Sequence, residues 1–115
     1  MRFFSFTKAD KILKRSEFLQ LSRLGKKISN SHFVLLYAPG QFERSRLGIT
    51  VTKKVGNAVV RNRIKRFSRE YFRLNRHNIK GYWDFNLIAK KEAAELTSRQ
   101  AFMSLQNVFG RIEAN

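Results

Sequence analysis

The chain reads as a small α+β domain, ordered helix, three strands, helix, strand, helix, with the helices packed against one sheet. Three patterns carry that reading. Leu47, Ile49 and Val51 alternate with Gly48, Thr50 and Thr52, the period of a half-buried strand. Val60, Ile64, Phe67, Tyr71 and Leu74 recur at spacings of 4, 3, 4 and 3, one apolar stripe along a helix. Thr97 and Gln100 stand at the spacing of a capping box, just before a second amphipathic run. At 115 residues with 43% hydrophobic content, the chain suits a single domain with a modest core.

The first helix is expected around Ser16–Leu24. Ser16 can cap it, Phe18 and Leu21 share a face, and Gly25 offers a left-handed stop. Residues 1–14 read as a basic, extended arm. Short strands follow near Lys27–Ser29 and His32–Ala38, then the alternating strand above. The polar connection Pro39–Ser45 is expected to be a hairpin loop. A helix is predicted over about Ala58–Leu74, with Asn57 near its N-cap. Opposite its stripe lie Asn62, Lys65, Arg66, Arg69 and Arg73, while Arg61 and Arg63 flank the two edges. A strand at Asp84–Ala89 comes next. The closing helix buries Ala101, Phe102, Leu105, Val108, Phe109 and Ile112.

Charge narrows the function. Lys and Arg number 24 against 8 Asp and Glu, a formal net charge of +16. A compact domain so charged repels itself, which points to a polyanionic partner. The charge is spread through the chain: residues 53–73 alone hold eight bases and one acid, Glu70. Solvated helices usually mix signs to gain i,i+4 pairs, and this one does not. Its pattern is that of a nucleic-acid-binding helix. The 11 Phe serve a core, and some can serve as stacking platforms for bases; by periodicity Phe18 belongs with the core.

Other chemistry finds little support. The absence of Cys removes disulfides and thiolate metal sites. No apolar run approaches the ~18 residues of a membrane span, and the N-terminus lacks a secretory h-region, so a cytoplasmic protein is the default. His32 and His77 stand apart, and the acids form no close pair suited to general acid–base work; Glu92 and Glu95 read as solubilising. No phosphate-loop motif occurs. "KKVGNA" leading into a helix is both an ordinary Gly–Asn cap and a reasonable phosphate contact.

The stretch "KKVGNAVVRNRIKR", Lys53–Arg66, resembles the RNR signature of the bacterial ribonuclease P protein subunit. The basic N-terminus, "SEF" before a Gly-ended helix and the "LIAKK" strand fit the same family, so the resemblance covers essentially the whole chain. It implies a two-layer α+β sandwich whose strand–helix–strand crossover through the RNR helix is left-handed, against the usual rule. It implies an RNA-binding domain spanning 1–115. Its role is in an endoribonuclease that removes the 5′ leader from precursor tRNA, with the active site and Mg²⁺ held by the RNA subunit. No cofactor is expected on the protein alone, and no obligate protein partner.

The resemblance also implies sites. The RNA-binding set is Lys53, Lys54, Asn57, Arg61, Asn62, Arg63, Lys65, Arg66 and Arg69. The leader cleft is walled by Phe18, floored by Val34, Leu36, Thr50 and Thr52, and completed by Lys54, Ala58, Arg61, Asn62 and Lys65. Two positions depart from some members. Ser22 stands where they carry a second aromatic. Leu36 stands where they carry a tyrosine, and the adjacent Tyr37 should point the other way. Backbone charge contacts then gain weight over base stacking. The competing readings are a ribosomal or other structural RNA-binding protein, and a DNA-binding domain using the basic helix in a major groove.

Overall fold

The computed structural model describes residues 8–12 and 14–112. The elements are α1 (Arg15–Leu24), β1 (Lys26–Ser29), β2 (Phe33–Pro39), β3 (Arg46–Thr50), α2 (Ala58–Asn75), β4 (Trp83–Ala89) and α3 (Ser98–Phe109), with 3-10 turns at Lys8–Asp10, Arg76–Asn78 and Lys91–Glu95. The order of helices and strands is the one the sequence predicts.

The sheet runs β1-β2-β4-β3, antiparallel except for the β3–β4 pair, which is parallel. The expected hairpin between β2 and β3 therefore does not form, because β4 lies between them. Residues 40–45 instead cross the start of β4. Gly40 N–H donates to the Tyr82 carbonyl at 2.9 Å, and Trp83 N–H to Ser45 Oγ at 3.0 Å. A parallel pair needs a long crossover, and α2 supplies it. β4 takes the centre because Phe85 and Leu87 are fully buried on one face while Asn86 is buried on the other.

One face of the sheet carries α2 and α3 over the main core. Phe85 meets Phe109 edge-on at 5.1 Å and Phe72 at 6.0 Å, spacings at which aromatic pairs add to their area burial. Tyr37 lies on this face, 5.4 Å from Trp83, as its alternation with Leu36 predicts. The other face carries α1 over a smaller cluster of Ile12, Leu21 and Leu36.

Helix boundaries hold within a residue or so, but some caps differ. Asn57 caps α2, its Oδ1 accepting from Val60 N–H at 3.0 Å, and the Thr97–Gln100 capping box is complete. Ser16 does not cap α1; Lys14 occupies that position with no side-chain cap. Glu17 places a negative charge in the first turn instead, where the helix dipole favours it. Gly25 is not left-handed either. Its φ is −74°, because the chain passes straight from α1 into β1. Glycine suits it for lack of room, since a Cβ there would stand 2.6 Å from the Leu21 carbonyl oxygen.

The buried face of α2 is turned from the expected stripe. Ile64, Ser68, Tyr71 and Phe72 are buried, while Phe67 and Leu74 lie at the margin. Phe72 supplies aromatic contacts that Phe67 would not reach from its side. Ser68 is small enough for close packing and satisfies its hydroxyl on the Ile64 carbonyl at 2.8 Å.

The expected extended arm is folded where it is described. Lys8–Asp10 form a 3-10 turn, Lys11 bridges Leu47 in parallel, and Ile12 N–H donates to the Leu47 carbonyl at 3.1 Å. Asp10, the single acid in this basic stretch, explains it. Its Oδ1 accepts from Arg76 Nη1 at 2.8 Å and Arg44 Nη1 at 3.0 Å. Residues 1–7 and 13 of the arm lie outside the described residues.

Candidate nucleic-acid interface

Strand register sorts the α1 face of the sheet into three rows, because directly paired residues share a face. The lowest row is Arg46, Asp84 and Ala38. The middle row is Gly48, Asn86, Leu36 and Lys27. The upper row is Thr50, Ile88, Val34 and Ser29.

α1 covers the two lower rows. An ion triad holds its first turn. Arg46 grips Asp84 in two places, Nε to Oδ1 at 3.0 Å and Nη2 to Oδ2 at 2.9 Å, and Nη2 also reaches Glu17 Oε2 at 2.8 Å. The Asp84 hydrogen bonds, joined by Glu17 and outweighing burial, raise the Arg46 guanidinium above its ordinary range, so it is charged throughout. At the next residue, the Phe18 ring lies on Gly48. A Cβ at Gly48 would stand 2.4 Å from Phe18 Cε1, so any larger residue would push the ring off the sheet. Leu21 packs with Leu36.

The upper row is left open. Thr50, Ile88 and Val34 are half-buried and Ser29 is exposed, whereas Gly48, Asn86 and Leu36 beneath α1 are buried. The result is a groove across the strands, with a floor of Thr50, Ile88 and Val34 and the half-buried Phe18 on its α1 side. Thr50 Oγ1 is fixed by a 3.0 Å hydrogen bond to Asn86 Oδ1. Leu36, expected in the floor, is 8% exposed and belongs to the packing under α1. Ile88 and Asn86 were missed; once β4 is known to pair with β2 and β3, their alternation places them on this face. Ser22 turns its hydroxyl back to the Phe18 carbonyl at 3.2 Å.

α2 begins shortly after β3 ends, beside the Thr50 end of this row. Lys53, Lys54, Ala58, Asn62, Arg66 and Arg69 are exposed, as is Thr52. Asn62, Arg66 and Arg69 follow one another at helical spacing on the solvent face. Arg66 lies over the Phe67 ring, 5.7 Å from its centroid. Arg61 and Lys65 are half-buried on one flank, with the Arg61 Nε buried and unbonded. Arg63 lies on the opposite flank and is drawn into the fold: its Nη2 donates to the Ala94 carbonyl at 2.6 Å. Arg63 is thus tied to the turn Lys91–Glu95, and the set expected to act together is split. Asn57 commits its Oδ1 to the helix cap.

His32 is less isolated than its sequence neighbours imply. Its Nδ1 lies 2.9 Å from Ser104 Oγ, which also receives Asn30 Nδ2 at 3.0 Å. This polar knot pins the β1–β2 turn to α3, and a separation of 72 residues hides it from local reading. Among the described residues, no group of three or more His, Cys, Asp or Glu is placed to hold a metal, and no helix is long and apolar enough to cross a membrane.

A basic helix beside an open, partly apolar row of strand residues is the character of a small α+β nucleic-acid-binding protein. The Ribonuclease P family model matches residues 6–113. The ribonuclease P protein component of Desulfatibacillum aliphaticivorans is 50% identical over 109 residues, covering 95% of this chain and 92% of the relative. That of Geotalea uraniireducens is 41% identical over 112 residues, covering 97% and 98%. The Staphylococcus aureus ribonuclease P protein structure superposes with a TM-score of 0.85 at 36% identity, covering 90% of this chain and 94% of that one. The Thermotoga maritima protein gives 0.83 at 33%, covering 90% and 98%. The chain belongs to the ribonuclease P protein family. It is the protein component of the ribonucleoprotein endoribonuclease that processes the 5′ ends of tRNA, and its partner in the holoenzyme is RNA.

Proposed function

We propose that α2 and the turn leading into it bind the RNA subunit of ribonuclease P, through Lys53 and Lys54 in the turn and Asn62, Arg66 and Arg69 on the helix, while the groove holds the 5′ leader of precursor tRNA. The observation that carries this reading is the half-exposed row Thr50–Ile88–Val34, walled by Phe18 and opening beside the basic start of α2. Arg61, Lys65 and Ala58, on the flank of α2 shared with Phe72, complete the groove on its basic side. Arg63 acts chiefly by holding the Lys91–Glu95 turn.

In this reading the protein supplies no acid, base or nucleophile. It neutralises phosphates that would otherwise repel as the catalytic RNA and its substrate come together, so less Mg²⁺ is needed. The Mg²⁺ itself is held mainly by the RNA. Leader contacts are absent from the mature product, so the precursor gains affinity that the product lacks. The work is placed in the cytoplasm, with tRNA maturation.

Reconstitution tests the reading. Added to a bacterial ribonuclease P RNA at low Mg²⁺, the protein should restore cleavage of leader-bearing precursor tRNA, and the stimulation should shrink as salt rises. No stimulation at any Mg²⁺ concentration would refute it.

A further inference from the structure

The upper row does not stop at β2. It crosses β1 at Ser29, and the neighbouring position of the middle row on β1 is Lys27. Lys27 therefore lies on the groove face, beyond the part of that row that α1 buries, and it is exposed. β1 reads Lys-Lys-Ile-Ser and carries no acid. From the opposite side of the sheet, Arg111 reaches round the β1 edge and its Nη1 donates to the Ser29 carbonyl at 2.9 Å. Asn107 Oδ1 lies 3.4 Å from the same nitrogen. The guanidinium is exposed and held at the end of the row. The groove thus has bases at both ends: those around the start of α2 beside β3, and Lys27 with Arg111 at β1.

Resting on the reading of the groove given above, we propose that Lys27 and Arg111 form a distal phosphate site for the leader, so that affinity depends on whether the leader is long enough to cross the whole sheet. Three inter-strand spacings of about 4.8 Å make the row about 14 Å long. That holds about four nucleotides stacked at about 3.4 Å, fewer if the strand is extended. A leader ending on β4 or β2 meets an apolar floor and a hydroxyl. One that crosses β1 brings a phosphate between two cations. The Arg111–Ser29 bond fixes one cation at the edge, whereas Lys27 adjusts to the phosphate on its flexible stem. A lysine whose only task is to protect an edge strand from pairing would have no such dependence on leader length.

The test measures holoenzyme affinity for precursor tRNAs with leaders of graded length, using wild-type protein, Lys27→Gln, Arg111→Gln and Lys27→Arg. Wild type should gain affinity when the leader becomes long enough to reach β1. Each glutamine variant should lose several-fold of that gain and reduce the salt slope for long leaders by about 0.7, the share of one single-strand phosphate contact. Lys27→Arg should retain the gain. The proposal is overturned if the gain persists in both glutamine variants, if affinity falls equally for short and long leaders, or if wild type responds to the presence of a leader but not to its length. If wild type ignores the leader altogether, the groove reading itself fails, and this proposal with it.

Discussion

Arg46→Ala should lower the stability of the free domain by about 3–5 kcal/mol, the usual cost of removing one partner from a buried ion group. The Arg46 side chain is 11% exposed, Asp84 15% and Glu17 28%. Without Arg46, the Asp84 side chain, in a partly buried site, loses a bidentate partner. Thermal or urea unfolding reads the loss, which for a domain of this size lowers the melting temperature by roughly 10 °C or more. The functional consequence is local as well. Glu17 fixes the first turn of α1, and Phe18 follows it directly, so the wall of the groove loosens when the triad breaks. The variant should lose discrimination between precursor and mature tRNA even at temperatures where it remains folded. An unfolding midpoint equal to wild type would show that the triad is a solvated surface cluster.

Arg61→Ala and Arg63→Ala should part company although the two residues stand two positions apart. Both are half-buried with a buried, unbonded Nε, but Arg61 shares its flank of α2 with Lys65. Its loss should weaken RNA binding about 10- to 100-fold, the worth of a charge-assisted hydrogen bond, with little change in unfolding midpoint. Arg63 donates to the Ala94 carbonyl across the helix–turn junction. Its loss should destabilise the fold by about 1–3 kcal/mol and affect RNA affinity less. Filter binding and thermal denaturation on the same pair of variants separate the two roles. Equal losses of affinity at unchanged stability would return Arg63 to the RNA-binding set.

The contrast between these arginines marks how far the sequence reaches. Periodicity places both on the edges of the α2 stripe, and that is where they lie. It cannot say which edge faces the Lys91–Glu95 turn, because that contact joins positions 31 residues apart. Elements governed by nearby residues were legible: the α2 cap at Asn57, the capping box of α3 and the opposed directions of Leu36 and Tyr37. Strand order was not. Short loops favour hairpins, and only the register, in which β4 pairs with both β2 and β3, separates those two strands. The groove was half legible for the same reason. Phe18, Val34 and Thr50 follow from the family resemblance, but Ile88 and Asn86 enter only with that strand order, and Leu36 leaves the open floor only once α1 is seen to cover it. The folded segment at residues 8–12 depends on Asp10 meeting Arg44 and Arg76, again a distant pairing.

The central claim is that the protein adds affinity for precursor tRNA through the leader, by a groove that Phe18 walls. The most direct measurement compares the affinities of precursor and mature tRNA for three assemblies: the RNA subunit alone, the holoenzyme with wild-type protein, and the holoenzyme with Phe18→Ala. The account predicts that wild-type protein raises the precursor-to-mature affinity ratio above that of the RNA alone. It predicts that Phe18→Ala lowers that ratio by about 1–3 kcal/mol, the range for one lost base-stacking partner, while mature tRNA binds as before. A ratio that wild-type protein leaves unchanged, or a Phe18→Ala variant that weakens both RNAs equally, would contradict it.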